Sequence, residues 1–332
     1  MSIRSPYLMF LGDAPDQLAA KTADGVKHWR PEWCVAQMRL PGCNADLGLP
    51  DMSISEAAAA GVKTVVLGVA NRGGVIGEAW MKELVAALES GMDIASGLHT
   101  KLAGIPALEA AASRTGQRLI EVRHPRQSFS VASGVRRSGK RLLTVGTDCS
   151  VGKMFTSLAI EREMKARGMQ ADFRATGQTG IFIAGDGVSV DAVVADFISG
   201  ATEWLTPEND PDHWDVVEGQ GSLFHASYAG VSLGLLHGAQ PDAMVMCHEP
   251  TRQHMRGIPS APIPDLQECV RLNEACAQLT RPGSRVVGVS VNTAALDEQA
   301  ANVLLAEIES DLGMPAVDAY RFGAGRLVDE LD

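Results

Sequence analysis

Short apolar runs alternate with amphipathic stretches along most of the chain. In its first part, the apolar runs predict strands at Tyr7–Leu11, Cys34–Met38, Thr64–Val69, Asp93–Ala95 and Leu119–Val122. Helical spacing predicts helices between them, at Ile54–Ala60, Ala79–Leu88 and Ala107–Arg114. Strands that alternate with helices are typical of a parallel sheet covered on both faces, so the pattern predicts an α/β fold.

The same alternation resumes after a polar, glycine-punctuated stretch at Ser133–Arg141. Beyond it, apolar runs predict strands at Leu142–Val145, Ala171–Ala175, Val216–Val217, Ala243–Cys247 and Val286–Val291. A chain of 332 residues is long for one hydrophobic core. We therefore predict two α/β domains, residues 1–132 and 133–332.

Composition excludes several classes of protein. With 45% hydrophobic and 21% charged residues the chain is expected to be globular, and a net charge of −11 argues against a nucleic-acid-binding surface. No leader-like N-terminal segment and no apolar stretch long enough for a bilayer is found, which indicates a cytoplasmic protein without membrane contact. The cysteines form no Cys-x-x-Cys pair, so we expect reduced thiols and no zinc site: Cys34, Cys43, Cys149, Cys247, Cys269 and Cys276.

A glycine-bounded loop runs from Gly146 to Lys153, directly after an apolar strand and before a predicted helix, Lys153–Arg167. Such a loop directs backbone N–H groups, a helix dipole and a lysine at one anion. The alternative is a tight turn without a ligand, but a lysine has little packing value there. The predicted phosphate ligands are therefore the loop residues Gly146, Thr147, Cys149, Ser150, Val151, Gly152, Lys153 and Met154.

The loop departs from the usual phosphate-loop pattern in two ways. Five residues separate Gly146 from Gly152, and Met154 stands where a Ser or Thr normally holds magnesium. The first predicted loop of the chain, Gly12-Asp13-Ala14-Pro15, lacks Gly-x-Gly-x-x-Gly, which argues against a bound dinucleotide.

These motifs carry a family resemblance. The loop and the Val-Glu-Gly strand end resemble dethiobiotin synthetase, and the match is closer to the bacterial family called domain of unknown function 1611. The resemblance covers nearly the whole chain and rests on Gly146–Cys149 with Gly152–Met154, Asn71–Gly74, Thr176–Gly180 and Glu218–Gly221. It implies a Rossmann-like N-terminal domain followed by a P-loop NTPase-like domain. It also implies D-glutamate N-acetyltransferase activity, with acetyl-CoA as co-substrate and a place in D-amino acid catabolism.

Physical chemistry supports an acyl-CoA over ATP as the ligand of the loop. Phosphoryl transfer needs magnesium held partly by a loop hydroxyl, and the Met154 thioether is a poor ligand for a hard cation. Thr156 lies roughly 200° further round the helix and should point away from the loop. We expect no metal, although Thr147 or Glu218 remains able to recruit one.

Acetyl transfer to an amine needs a proton acceptor and oxyanion donors. Glu218, at the end of an apolar strand, is the first candidate for the base, followed by Asp148 and His248. A structural role is the alternative for Glu218 and for His248. Cys149 lies near a helix start, which lowers the pKa of a thiol and suggests an acyl-cysteine intermediate. Direct transfer of the acetyl group to the amine is simpler, so we interpret Cys149 as a small residue of the loop without a catalytic role.

A dicarboxylate substrate needs cations that bind both oxygens of a carboxylate in a bidentate manner. The predicted substrate ligands come from two glycine-containing loops after strands: Asn71, Arg72 and Gly73 in the first domain, and Arg174 and Gln178 in the second. An ordinary surface turn is an equally good interpretation of the second loop.

Three hypotheses remain at this point. The chain is an N-acetyltransferase acting on D-glutamate, an ATP- and magnesium-dependent enzyme of the dethiobiotin synthetase type, or a non-catalytic acyl-CoA or nucleotide sensor. Related folds lead us to expect a homodimer or higher homo-oligomer with a small-molecule substrate.

Overall fold

The computed structural model describes residues 3–69, 76–125 and 127–331, and contacts divide the chain into two units. The first unit comprises Met1–Gln127 and Gln178–Ala192; the second comprises Ser128–Gly177 and Val193–Asp332. The sequence predicts a single boundary between residues 132 and 133. By contacts, residues 178–192 belong to the first unit, although in sequence they interrupt the second; they are called here the insertion.

The first unit is built on a five-stranded parallel sheet with strand order β2-β1-β3-β4-β5. Its central strands are buried along their whole length, as expected for a sheet covered on both faces. The strands lie within two residues of their predicted positions: β1 Tyr7–Gly12, β2 Cys34–Arg39, β3 Thr64–Leu67, β4 Asp93–Ser96 and β5 Leu119–Glu121.

The second unit contains a six-stranded parallel sheet with strand order β13-β12-β9-β6-β8-β7 and a separate antiparallel hairpin, β10–β11. All parallel strands end at one side of the sheet, called here the carboxyl edge; the amino edge is opposite. The strands are β6 Lys140–Gly146, β7 Ala171–Arg174, β8 Trp214–Val217, β9 Ala243–His248, β10 His254–Met255, β11 Ile258–Pro262, β12 Arg285–Val291 and β13 Ala316–Val317.

Helices connect the strands, and their ends follow sequence signals. Ser53 makes a capping box on α2, and Gly116 ends α4 in the left-handed conformation. In the described ranges no helix is both long and apolar enough to cross a membrane. The helices are α1 Lys21–Trp29, α2 Ile54–Ala59, α3 Glu78–Glu89, α4 Pro106–Thr115, α5 Lys153–Ala166, α6 Gln178–Ala184, α7 Ile198–Leu205, α8 Ala229–Ala239, α9 Leu266–Gln278, α10 Glu298–Leu312 and α11 Gly325–Val328.

One predicted loop is a helix. The sequence predicts a strand followed by a loop at Phe173–Gly180, whereas in the structure Gln178–Ala184 forms the helix α6. Ile181, Phe182 and Ile183 are buried in this helix. Their burial outweighs the poor helix propensity of Thr179 and Gly180, because tertiary packing overrides local preference.

Candidate functional site

The phosphate loop connects β6 to α5 at the carboxyl edge of the second sheet. Left-handed residues shape it, with φ of 54° at Ser150 and 102° at Gly152. No side chain caps α5 at Gly152. Because first-turn N–H groups of a helix have no intrahelical acceptor, this end of α5 presents donors and a positive dipole to an anion.

Lys153 is the buried cation of the loop. Its side chain lies over Gly146, where an added Cβ would be 3.1 Å from Nζ and 2.9 Å from Val151 Cγ2, so only glycine fits. Nζ donates to the Asp148 carbonyl oxygen at 2.7 Å. Burial lowers the pKa of Lys153, and neighbouring acidic groups oppose that shift. An anion at the loop would therefore stabilise the ammonium form.

The hydroxyl of Thr156 points away from the loop, as its place on the helix predicted. Thr156 Oγ1 lies 2.8 Å from Ser290 Oγ of β12, and both residues are buried. Met154 therefore leaves the usual magnesium position without a hydroxyl, and Thr156 does not replace it.

Glu218 follows β8 and is buried beside the loop. Its Oε2 accepts hydrogen bonds from the N–H groups of Thr176 at 3.0 Å and Gly177 at 3.1 Å. Burial raises the pKa of Glu218 to about 7, although these N–H groups and Lys153 pull it down. At Gly219 an added Cβ would lie 1.6 Å from the Thr144 carbonyl oxygen. Glycine is therefore required where the chain leaves Glu218.

Asp148 is a fully buried, ion-paired carboxylate. Oδ1 accepts from Cys149 N–H at 2.7 Å, while Oδ2 accepts from Arg256 N–H at 2.8 Å and Arg252 Nη1 at 2.5 Å. Burial alone would raise its pKa, but these donors outweigh burial and hold the pKa of Asp148 below its usual value. Such a carboxylate is a weak proton acceptor and a strong anchor for the segment that carries the two arginines.

Two guanidinium groups reach the loop from the hairpin segment, defined here as residues 249–262. Arg252 also donates to the carbonyl oxygens of Cys149 at 2.7 Å and Ser150 at 3.2 Å. The Arg256 guanidinium donates to Ser150 Oγ. Sequence reasoning missed Arg256; the only available signal was two arginines four residues apart just beyond an apolar strand.

Two histidines flank the loop. His248 Nδ1 lies 3.1 Å from Thr147 Oγ1, and burial lowers the pKa of His248, which favours the neutral ring. His225, missed by sequence reasoning, is buried; Nδ1 accepts from Ser227 N–H at 3.2 Å and Nε2 faces the Arg256 carbonyl oxygen at 3.0 Å. These partners assign the His225 proton to Nε2.

Potential metal ligands meet at Asp148, Cys149 and His225, whose ligand atoms all lie within 4.8 Å of one another. Both carboxylate oxygens of Asp148 already accept hydrogen bonds, and both ring nitrogens of His225 have protein partners. Burial raises the pKa of the Cys149 thiol. The candidate ligand atoms of Asp148 and His225 are therefore already engaged by protein groups.

Of the remaining candidates, Arg174 does not contact this cluster. Arg174 Nε donates to buried Asp215 at 2.6 Å, so its guanidinium turns back from the carboxyl edge. Gln178 belongs to the first unit, where its Nε2 lies 3.3 Å from both Ser189 Oγ and Asp191 Oδ1. The predicted ligands Asn71, Arg72 and Gly73 lie outside the described residues.

Comparison with known proteins identifies the family. The model described as the domain of unknown function DUF1611_C, a P-loop domain, matches residues 130–328, and the DUF1611_N Rossmann-like domain matches residues 38–125. This chain belongs to the DUF1611 family. Both domain types agree with the predicted fold.

Three known proteins match this chain over nearly its whole length. A protein from Tritonibacter scottomollicae named D-glutamate N-acetyltransferase is 58% identical over 329 residues, 99% of both chains. A protein of the same name from Pseudoalteromonas is 49% identical and covers 100% of each chain. The crystal structure of a DUF1611 family protein from Anabaena variabilis, 35% identical, superposes with a TM-score of 0.86 over 99% of both chains.

Proposed function

We propose that this chain is a D-glutamate N-acetyltransferase, which moves the acetyl group of acetyl-CoA to the α-amine of D-glutamate. The observation that carries the proposal is the name shared by two full-length relatives at 58% and 49% identity. The site supports it, because a phosphate loop that has Met154 in place of the usual hydroxyl suits a ligand that needs no phosphoryl transfer.

The coenzyme phosphates are assigned to the loop. Lys153 and the first-turn N–H groups of α5 provide the charge and donors that a diphosphate needs. The guanidinium of Arg256, on the Ser150 hydroxyl at the loop surface, is assigned as the second cation. No step of this binding requires a divalent ion.

Glu218 is assigned as the general base. With a pKa of about 7 it is close to half ionised at neutral pH, where a base is most effective. It takes a proton from the ammonium or attacking amine, nitrogen adds to the thioester carbonyl, and the tetrahedral intermediate expels the CoA thiolate, which takes up a proton. The two backbone hydrogen bonds go to Oε2, which leaves Oε1 as the accepting oxygen.

His248 and Asp148 are given other roles. A neutral His248 that accepts the Thr147 hydroxyl proton at Nδ1 carries its own proton on Nε2, and this N–H is the assigned donor to the oxyanion. Asp148 is a positioning residue that holds the hairpin segment to the loop.

The test is an assay of free thiol release from acetyl-CoA with D-glutamate, run with EDTA in excess. L-glutamate and both enantiomers of aspartate measure substrate preference. We expect thiol release that depends on D-glutamate and is insensitive to EDTA. Phosphate release from ATP and magnesium without thiol release would instead support an ATP-dependent enzyme, and thermal stabilisation by acetyl-CoA without turnover would support a sensor.

Compartment and assembly complete the proposal. Six free cysteines suit the reducing cytoplasm. We expect a homodimer or higher homo-oligomer, which light scattering on the purified protein tests.

A further inference from the structure

A charged pocket of about 440 Å³ lies at the amino edge of the second sheet. The first residues of four strands line it: Lys140 of β6, Trp214 of β8, Ala243 of β9 and Arg285 of β12. The phosphate loop begins at the other end of β6, about 20 Å away along a strand of this length. The pocket is therefore separate from the site described above.

Positive charge is concentrated at this pocket. Its lining includes Arg136, Arg137, Lys140, Arg281 and Arg285, against only Asp242 and Glu330. The chain as a whole carries a net charge of −11, so this local excess of cations does not follow from composition. It combines the basic run before β6 with two arginines that are far away in sequence.

The acidic lining residues leave much of this charge unpaired. Both oxygens of the Asp242 carboxylate already accept hydrogen bonds. Oδ1 accepts from Arg281 Nε at 2.9 Å, and Oδ2 accepts from the Arg141 backbone N–H at 2.9 Å. Arg285 Nη2 donates at 2.9 Å to the carbonyl oxygen of Glu330, not to its carboxylate. Within the described ranges, neither Arg136 nor Arg285 forms an ion pair with a carboxylate. Two guanidinium groups therefore remain available to a ligand.

The wall of the pocket adds positive potential. Arg137 is 90% buried on its side chain, and its Nη1 lies 3.6 Å from Glu203, too long for a hydrogen bond. Burial and the neighbouring Arg141 lower the pKa of Arg137 to about 10. Arg137 therefore adds positive charge to the wall of the pocket, and Glu203 and Asp215 offset part of it.

We propose that the amino-edge pocket binds a small polyanion with at least two phosphate or carboxylate groups. The two unpaired guanidiniums match two forked oxygen pairs. Lys140 adds a further charge, although its Nζ lies 4.0 Å from Oδ1 of the exposed Asp212. The volume of the pocket lies in the range of small-molecule sites. The pocket is separate from the phosphate loop, so its ligand is not the substrate of acetyl transfer.

The experiment is calorimetric titration of the full chain with pyrophosphate and, separately, with citrate, which distinguishes a phosphate from a carboxylate source. Titrations use the Lys153→Ala background, which removes the cation of the phosphate loop. In that background, Arg136→Gln with Arg285→Gln should weaken binding at least about tenfold. The control, Lys82→Gln with Lys101→Gln, removes the same charge from exposed positions of the first unit and should bind like its parent.

Two outcomes would overturn the proposal. One is binding of neither probe in the Lys153→Ala background while the wild-type chain binds a single equivalent. The other is equal affinity in the arginine variant and its control. If Lys153→Ala does not fold, the wild-type chain should show two binding events, of which only one responds to the arginine pair. Because no turnover is measured, failure of the acetyltransferase assay leaves this result interpretable.

Discussion

Lys153 and Glu218 show how burial adjusts chemistry at single residues. Both are buried at the carboxyl edge of the second sheet, and removal from water shifts each toward its neutral form. The N–H groups of Thr176 and Gly177 restore part of the stability of the Glu218 carboxylate. The balance places the pKa of Glu218 at about 7, where it can accept a proton at neutral pH.

Glu218→Gln should lower kcat by about 10²- to 10⁴-fold, because an amide cannot accept the amine proton. The carboxylate form prevails only above a pKa of about 7, so the wild-type rate should fall as the pH drops through that value. The variant should lack this limb, while the KM for acetyl-CoA changes little. Rate profiles between pH 5 and 9 for both proteins check this; an unchanged profile would remove Glu218 from the base role.

The same shift has a consequence for stability. The folded pKa of about 7 exceeds the ordinary value of 4.5, so the folded state binds more protons between these values and stability falls as pH rises through this window. Glu218→Gln should abolish this decline, which is at most about 3 kcal/mol. Urea unfolding at pH 4.5 and 7.5 measures it; parallel curves for both proteins would contradict the shift.

Lys153→Ala should weaken acetyl-CoA binding about 10- to 100-fold, since it removes a charge-assisted contact to the coenzyme phosphates. Lys165→Ala is the matched control, because Lys165 lies on the same helix but pairs with Glu161 at 2.8 Å. Calorimetry with coenzyme A measures both variants. Equal affinities would exclude the loop as the phosphate cradle.

The sequence predicts candidate residues that a local pattern indicates, and it gives little signal for residues that reach the phosphate loop through distant contacts. Lys153, Thr156 and Glu218 follow from a strand, a glycine loop and helical rotation, all visible within a short window. Arg256 contacts Ser150 from 106 positions away. His225 reaches the same network only through the fold, and a single sequence contains no information on such pairings.

At the scale of elements, one buried carboxylate joins the hairpin segment to the phosphate loop. Asp148 accepts the Arg256 backbone N–H and the Arg252 guanidinium, and Arg252 also holds two loop carbonyl groups. The loop is thereby fixed by a segment more than one hundred residues later in the chain. Its shape depends on the hairpin as well as on its own glycines.

Asp148→Asn should loosen this link, because a neutral amide replaces the charge that pairs with Arg252. We expect a roughly tenfold or greater increase in the KM for acetyl-CoA with a smaller change in kcat, together with faster hydrogen exchange confined to residues 249–262. Asp297→Asn, at the exposed N-cap of α10, is the control. An effect on kcat alone would indicate direct participation of Asp148 in proton transfer.

The strength of the hydrophobic pattern decides which elements are predictable. The strands β6 and β9 each contain a buried, mainly apolar run, and the sequence predicts both within two residues of their observed bounds. The sequence does not predict the strand β11, because β11 contains Pro259 and Pro262 and is largely exposed. The sequence does not predict helix α6 either, because the helical conformation of Gln178–Ala184 depends on the burial of its apolar side chains and not on local helix propensity.

At the scale of the whole molecule, the first unit is discontinuous in sequence. The chain leaves the second unit after Gly177 and returns to it at Val193. Among the hydrogen bonds that tie the insertion to the rest of the first unit, Ile3 N–H donates to the Gly185 carbonyl oxygen at 2.7 Å and Ser189 Oγ donates to the Val122 carbonyl oxygen at 2.7 Å. No polar stretch marks the insertion, so the sequence predicts only a single boundary, near Ser133–Arg141.

Phe182, in α6 of the insertion, should stabilise the first unit although its neighbours in sequence belong to the second. Its side chain is fully buried, so Phe182→Ala should destabilise the first unit by about 3–5 kcal/mol. Phe322→Ala, at a 42% exposed position of the second unit, is the control and should cost far less. Hydrogen exchange resolved along the chain should show lost protection in β1, β3 and β4 of the Phe182 variant, with β6, β9 and β12 unchanged. Loss confined to the second sheet would assign residues 178–192 to the second unit, because a cavity weakens first the core in which it lies.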